Sequence, residues 1–366
     1  NALIESGLGL GILAIVGVLG ILPPGLHTEP VWPLPFRLLT SALSTGAMVM
    51  LLIFAAGFCV CGVVAVAALA AGWKRPLGAA FIGLIVCIAF GGAPAMPALI
   101  VAYPTTFFAP PVPYNAAAVD RGAAIYAQNC AACHGADGKG DGPAAAYLPI
   151  KPADLVQPHI FAHTVGDLFW WVSHGKANVM PPFDGTLTPD ERWDVIHFCR
   201  ARAAGVIASD MGPAVSTIAA AQVPDFAFES GSVQDTLGQV LAEGPALLVL
   251  FGGDAPVARL RQLGTAQLKL IAAGLPVIAV GLNGASAGAA TNPPYVVGVA
   301  ANVATMLGLF RSASDGGETE LMLDRNGNVR VRWTASNFVP PETLAADALT
   351  VARFSGSVPN HAGHGG

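Results

Sequence analysis

Before residue 105 the chain carries only five charged residues, Glu5, Glu29, Arg37, Lys74 and Arg75. A first third so poor in charge cannot present an ordinary soluble surface, so it must bury its apolar length in lipid or in protein. A mean hydropathy of +0.59 with 54% hydrophobic residues fits a membrane portion joined to soluble material. Gly7 to Leu22, with Ala2 to Ile4, approaches the roughly 20 apolar residues that span a bilayer, and Pro23-Pro24 stops it. A second span runs from about Ser41 to Gly72 and a third from Leu77 to about Ala102, its outer half loosened by Gly91, Gly92, Pro94 and Pro97. Trp73-Lys74-Arg75 is the only clustered positive charge beside these spans, which places that turn in the cytoplasm and delivers residue 105 onward to the opposite face. The chain opens at Asn1, without methionine and inside an apolar helix pattern, so an upstream portion is expected to be missing or removed. No signal-peptide layout is visible.

Beyond the membrane portion the organising stretch is Cys130-Ala131-Ala132-Cys133-His134. Two cysteines two residues apart and an immediate histidine match the spacing at which both thiols bond to haem vinyl groups while the imidazole ligates iron. A chance motif or a structural disulfide is the competing reading. Cys59, Cys61 and Cys87 fall in apolar segments and Cys199 in an amphipathic pattern, so these four read as small buried hydrophobes. Upstream, Ala116 to Asn129 has helical spacing, with Val119, Gly122, Ala123 and Tyr126 on one stripe. Gly122 and Tyr126 admit a close partner, expected to be Pro189 to Ala204, where Thr188 and Glu191 form a capping box and Trp193, Ile196 and Cys199 or Arg200 mark the inward face. Met180 is the only methionine between the linker and residue 204, and it precedes Pro181-Pro182. It is the candidate sixth ligand, closing the iron to catalysis and favouring electron transfer. His159, His163, His174 and His197 match no zinc spacing, and Trp170 and Trp171 read as packing residues.

Two resemblances follow. The Pro23-Pro24 stop, His27, and Val31-Trp32-Pro33-Leu34-Pro35-Phe36-Arg37 before the next span resemble the last helices of the copper-resistance protein D (CopD) membrane family, over residues 1–104. That resemblance implies copper handling, with His27 as a conceivable copper ligand and Met48 and Met50 as soft donors. Residues from Arg121-Gly122 through the CxxCH motif, Gly135, Gly138, Gly140, Asp141-Gly142-Pro143, His174-Gly175, Met180-Pro181-Pro182-Phe183 and Trp193 resemble a small His/Met cytochrome c. That family implies one covalent haem c on Cys130 and Cys133, iron held by His134 and Met180, and a backbone carbonyl, sought at Pro143 or Pro149, accepting from the His134 ring.

The C-terminal part alternates differently. Ala246–Phe251 and Pro276–Val280 are buried-strand runs around a helical stretch from Pro256 to Ala273, which favours a right-handed parallel crossover. Glu320 to Trp333 reads as a hairpin across Asp324-Arg325-Asn326-Gly327. This order resembles a thioredoxin-like fold of the peroxiredoxin type, but Gly252 to Ala258 holds no cysteine and no proline sits just before Glu320. Thiolate chemistry needs a thiolate, so this domain is expected to be redox-inactive at the thiol level, a docking module.

The sequence thus predicts a multi-domain chain: transmembrane helices (1–104), a Pro-rich linker (105–115), an all-α cytochrome c domain (116–205), a connector (206–221), an α/β thioredoxin-like domain without cysteines (222–354) and a disordered tail (355–366). The expected function is a periplasmic monohaem electron carrier anchored in a bacterial inner membrane, not an enzyme, with redox proteins and membrane lipid as partners. The alternatives are copper transport or homeostasis, and a scaffold subunit of a larger respiratory or oxidase complex. A net charge of -5 without a basic cluster argues against a nucleic-acid partner.

Overall fold

Uncharged apolar runs become helices only where caps start and stop them, and Ser44 and Gly72 do this for the first described helix. The Ser44 side chain accepts from the Ala47 amide at 3.1 Å, and Gly72 closes the C-terminus at φ 69°. The computed structural model describes residues 13, 31–39, 44–92, 96, 99–176, 179–217, 221–230, 232–252, 257–282, 296–315 and 317–354. It divides into two units, residues 1–108 and 109–366. Apart from Leu13, the first expected span lies outside the described residues, as do His27 and the tail from 355.

In the first unit, α1 (Thr45–Ala71) and α2 (Lys74–Gly92) are both long and apolar enough to cross a membrane. Their outer faces expose Leu52, Ile53, Val63, Ile82, Ile85 and Ile88, while Ala65, Ala68 and Ala80 are buried. Small residues at the contact and large apolar ones outside is the distribution of a helix pair in lipid. The third expected span is shorter than predicted. Its helix ends at Gly92, and β2 (Leu99–Val101) pairs antiparallel with β1 (Phe36–Leu38), Phe36 opposite Val101. The Leu-Ile-Val run follows Pro94 and Pro97, which remove helical donors, and its β-branched residues suit a strand.

The second unit begins with α3 (Ala116–Asn129), a single turn α4 (Ala131–His134), α5 (Val165–His174) and α6 (Pro189–Ser209). After a hairpin of β3 (Ala227–Ser230) and β4 (Val233–Thr236) come α7 (Leu237–Glu243), β5 (Ala246–Gly252), α8 (Val257–Ala272), β6 (Val277–Leu282), β7 (Val296–Val297), α9 (Ala301–Gly308), β8 (Glu318–Leu323), β9 (Val329–Thr334) and α10 (Pro341–Phe354). One sheet runs β7-β6-β5-β8-β9, parallel from β7 to β5 and antiparallel beyond. The strand–helix–strand crossover and the Asp324–Gly327 hairpin are therefore present.

Period-2 alternation sends the sheet's residues into two cores. Leu247, Val249, Phe251, Met322, Val331 and Trp333 pack with Leu260, Leu263 and Leu270 of α8 and Leu344 and Val351 of α10. Leu248, Leu250, Ile278, Val280 and Leu321 face the other way, into a cluster that continues through Val303 and Leu307 of α9 to Val119, Tyr126, Val195 and Phe198 of α3 and α6. The two soluble regions expected to be separate domains thus share one core.

The connecting segments are ordered by hydrogen bonds. Ala116 donates to the Asp225 carbonyl at 2.8 Å, and Asp225 to that of Tyr114 at 3.1 Å. Helix α6 runs to Ser209, past the expected end, because Ala201, Ala203, Ala204 and Ala208 are buried. The chain after it covers the β9 edge, with Ser216 donating to the Arg330 carbonyl at 2.7 Å and Arg332 to that of Gly212 at 3.2 Å. Covering an edge strand removes a template for association, and here it buries Arg330 and Arg332. Arg330 pairs with Asp324 at 2.6 Å, Arg332 pairs with Asp315, and Arg259 pairs with Glu320 at 2.7 Å.

Two buried groups titrate with opposite sign. His197, held by the Val112 carbonyl at 2.9 Å, is pushed down to about 4 by burial. Its contribution to stability is present above the unfolded value of about 6.5 and is lost as pH falls towards 4. Glu318 is pushed up to about 8 by burial and then by the Glu320 charge. Its contribution is present below about 4.3 and is lost as pH rises through 8. Between pH 7.5 and 5, chemical denaturation of His197→Gln should therefore recover about 2 kcal/mol relative to wild type. From pH 5 to 7.5, Glu318→Gln should recover about 3 kcal/mol. Parallel pH profiles for wild type and variant would refute either assignment.

Candidate haem-binding site

Helix α3 delivers the CxxCH motif because its start is capped and its middle is clamped. Asn115 Oδ1 accepts from the Ala118 amide at 3.0 Å. At Gly122 the α6 backbone comes so near that a Cβ would lie 2.0 Å from the Asp194 carbonyl oxygen. On either side of that crossing, Arg121 makes two hydrogen bonds to Asp194, at 2.7 and 2.9 Å, and the Tyr126 and Phe198 rings sit 5.1 Å apart. The Thr188–Glu191 capping box starts α6 as the sequence predicts. Trp193 and Ile196 are buried, while Cys199 and Arg200 are half-buried.

Cys130, Cys133 and His134 come together on one turn, with Cys133 and His134 donating to the Cys130 carbonyl at 3.1 and 2.9 Å. The following loop folds back under the turn. Gly140 donates to the His134 carbonyl at 2.8 Å and Gly142 to that of Cys133 at 3.1 Å, while the Tyr126 hydroxyl donates to Gly135 at 2.7 Å. The His134 ring finds the Ala153 carbonyl, 3.0 Å from Nδ1, rather than that of Pro143 or Pro149. The loop sets this choice, since Leu155 donates to Gly138 at 2.7 Å and draws residues 152–155 alongside. Sequence reasoning missed Ala153 because nothing in an alanine's identity announces its carbonyl.

This donor set fits a covalently held haem. A carbonyl only accepts, so Nδ1 carries the ring hydrogen and Nε2 keeps its lone pair for iron. Cys130 and Cys133 are free, half-buried thiols, and burial pushes Cys130 up to about 11, so it keeps the S–H that adds across a vinyl group.

Met180 sits on a separate loop fastened to the end of α5. Its amide donates to the Lys176 carbonyl at 3.2 Å and its carbonyl accepts from Lys176 at 3.0 Å. Gly175, at φ 72°, passes so close that a Cβ there would lie 2.3 Å from the Met180 oxygen. Phe183 then donates to Val172 and Ser173 at 3.1 and 3.2 Å. Helix α5 is itself fixed to α6 by the Phe169–Trp193 stack, centroids 4.3 Å apart.

Three of the other described histidines are engaged in ring packing, while His159 is exposed. His163 lies edge-on to Trp171, His174 stacks on Trp170, and His197 meets Tyr114. Among the described residues no three His, Cys, Asp or Glu side chains group to hold a metal ion. Met48 is half-buried and Met50 exposed, on different faces of α1.

Residues 117–198 match the family model described as cytochrome c oxidase, cbb3-type, subunit III. This segment is a cytochrome c domain. The match begins at residue 117, so the copper-resistance resemblance of residues 1–104 gains nothing from it. No curated protein matches the chain. Similar solved structures include a chain of the reducing HAO-like protein complex of Kuenenia stuttgartiensis, 25% identical over 32% of this chain, TM-score 0.23. This chain spans 57% of that one's length. Thioredoxin-like neighbours include a thiol:disulfide interchange protein DsbE from Chlorobium tepidum, 20% identical over 39% of this chain and 99% of that one, TM-score 0.28. A 2-Cys peroxiredoxin from Plasmodium vivax is 11% identical over 39% of this chain and 85% of that one, TM-score 0.30.

The crossing at Gly122 has a direct test. Gly122→Ala forces backbone against side chain where neither yields, at the upper end of the roughly 1–3 kcal/mol that overpacking costs. Gly185→Ala, with nothing within 4 Å of its Cβ, is the neutral comparison. Thermal melts should separate the two variants, and equal midpoints would show that α3 and α6 cross elsewhere.

Proposed function

We propose that the chain is a membrane-anchored monohaem cytochrome c that carries single electrons between redox proteins at the outer face of a bacterial inner membrane. The observation that carries this reading is the Cys130–His134 turn, whose two thiols and oriented imidazole lie within the cytochrome c match. Bound there, a haem c would supply a one-electron ferric/ferrous couple. Cys130 and Cys133 would hold it by thioether bonds, and His134 Nε2 and the Met180 thioether would ligate its iron. With His134 and Met180 both holding the iron, such a haem would carry electrons rather than activate a substrate.

Two further observations support the anchored form. The α1–α2 hairpin turns at Gly72-Trp73, beside Lys74 and Arg75, so the positive-inside tendency puts that turn in the cytoplasm and β1 and β2 on the outer side. The matched family's description names an oxidase subunit, which favours a respiratory complex as acceptor. The α/β region, thioredoxin-like in its β6-β5-β8-β9 order, serves as the haem helices' support, because its core continues into α3 and α6.

A covalent-haem stain and a reduced-minus-oxidised spectrum of the purified chain test the reading as a whole. Met180→Ala should keep the stain, lose the Met-ligated ferric spectrum and lower the potential by on the order of 0.2 V, within the roughly 0.8 V that axial ligands command. Gly175→Ala, which strains the loop by about 1–3 kcal/mol, should let added imidazole bind the ferric form about tenfold more tightly or better. A Met180→Ala spectrum identical to wild type would remove Met180 from the iron.

A further inference from the structure

Cys61 and Cys87, which the electron-carrier reading leaves unused, meet across the α1–α2 hairpin. Gly57 and Cys61 lie one turn apart on α1, and Gly83 and Cys87 one turn apart on α2. Their register is reciprocal. A Cβ on Gly83 would lie 2.6 Å from Cys61 Sγ, and one on Gly57 would lie 3.2 Å from Cys87 Sγ. Each sulfur therefore fills the space that the facing glycine leaves empty. The two thiols thus share one seam between the helices.

A disulfide here would join two sulfurs that lie on the same seam of the hairpin. Such a bond needs Cα atoms about 4.4–6.8 Å apart, closer than helices carrying large side chains approach, and facing glycines permit that approach. Cys59, two residues away, is exposed on another face of α1 and has no such partner in reach. Cys61 lies eleven residues from Gly72, about 16 Å along the helix axis, near the middle of a roughly 30 Å hydrocarbon core. Water-soluble thiols and oxidants do not reach that depth, whereas a lipid-soluble carrier does.

We propose that Cys61 and Cys87 form a dithiol that a membrane quinone oxidises to a disulfide. Two S–H bonds break and one S–S bond forms, and the two protons and two electrons pass to the quinone, giving a quinol. The chain then holds a two-electron centre besides its one-electron haem. The choice of oxidant rests on the hairpin lying in a bilayer; the pairing of the thiols does not.

The test uses the full haem-loaded chain in lipid nanodiscs, reduced anaerobically, exposed to decylubiquinone or to diamide, acid-quenched, unfolded and alkylated. Of six cysteines two are tied to haem, leaving Cys59, Cys61, Cys87 and Cys199 as four countable thiols. Quinone should reduce the count from four to two and yield a Cys61–Cys87 linked peptide. Cys61→Ala and Cys87→Ala should each show three thiols before and after, with an unchanged haem spectrum reporting an intact fold. Four thiols persisting under both oxidants, or a loss that survives in Cys61→Ala, overturns the pairing. Pairing by diamide alone overturns the quinone as oxidant. Release of the chain from native membranes by alkaline carbonate overturns the membrane reading instead, whatever the thiol count.

Discussion

The backbone contact at Gly122 holds the haem-binding unit together. Where α3 and α6 cross there is no room for a single methyl group, since the Asp194 carbonyl occupies it. Everything that presents the CxxCH turn follows from that contact. It sets the axis of α3, and with it the position of Cys130 one turn after Tyr126; it also sets the face on which Arg192 and Trp193 of α6 receive Phe169 of α5. The helix carrying the thiols and the helix supporting the methionine loop are thus referred to one common element, α6. Under the proposed function, in which His134 and Met180 both hold the haem iron, this shared element is what relates the two ligands to each other.

Helix α6 reaches this role by being buried on several sides at once. Its Thr188 to Phe198 half meets α3 and α5, and its alanine-rich second half meets the chain after α9, where a Cβ on Gly205 would lie 2.1 Å from the Leu309 carbonyl oxygen. The α/β region therefore has a structural role without any thiol. It closes a core that the cytochrome helices alone would leave open along Val119, Val195 and Phe198. That no cysteine follows β5 is then understandable in physical terms. The sheet supplies an apolar face and α9 supplies the bridge, and neither needs a nucleophile.

Local signals were legible in the sequence, and long-range ones were not. Thr188 with Glu191 and Asp324 to Gly327 announce a capping box and a hairpin through chemistry that acts within four residues. Gly122 and Tyr126 announced a close partner by type and spacing. By contrast, the Ala153 carbonyl and the shared core depend on which remote backbone arrives, and composition carries no record of that. The alternation Val329-Arg330-Val331-Arg332 reads as strand, but it carries no sign that Arg330 and Arg332 are buried. Their partners Asp324 and Asp315 and the covering segment 212–217 come from separate stretches of chain. The helix stop expected near Gly205 failed for a related reason. Glycine there marks a close approach rather than an end.

The α1–α2 hairpin, whose helices are long and apolar enough to cross a membrane, follows a related logic. In water a Gly-x-x-x-Cys stripe would be a weak contact, since apolar burial favours larger side chains. In lipid the outward residues gain nothing by leaving their neighbours, so association depends on how closely two backbones come together. Gly57 facing Cys87 and Gly83 facing Cys61 give that closeness twice, related by a local two-fold, and Gly91 repeats it against Phe54. Cysteine at the centre of such a contact is small enough to pack like alanine. Unlike alanine, it carries a thiol into the contact. The constraint that lets α1 and α2 pack is thereby also the one that sets Cys61 and Cys87 on a common seam.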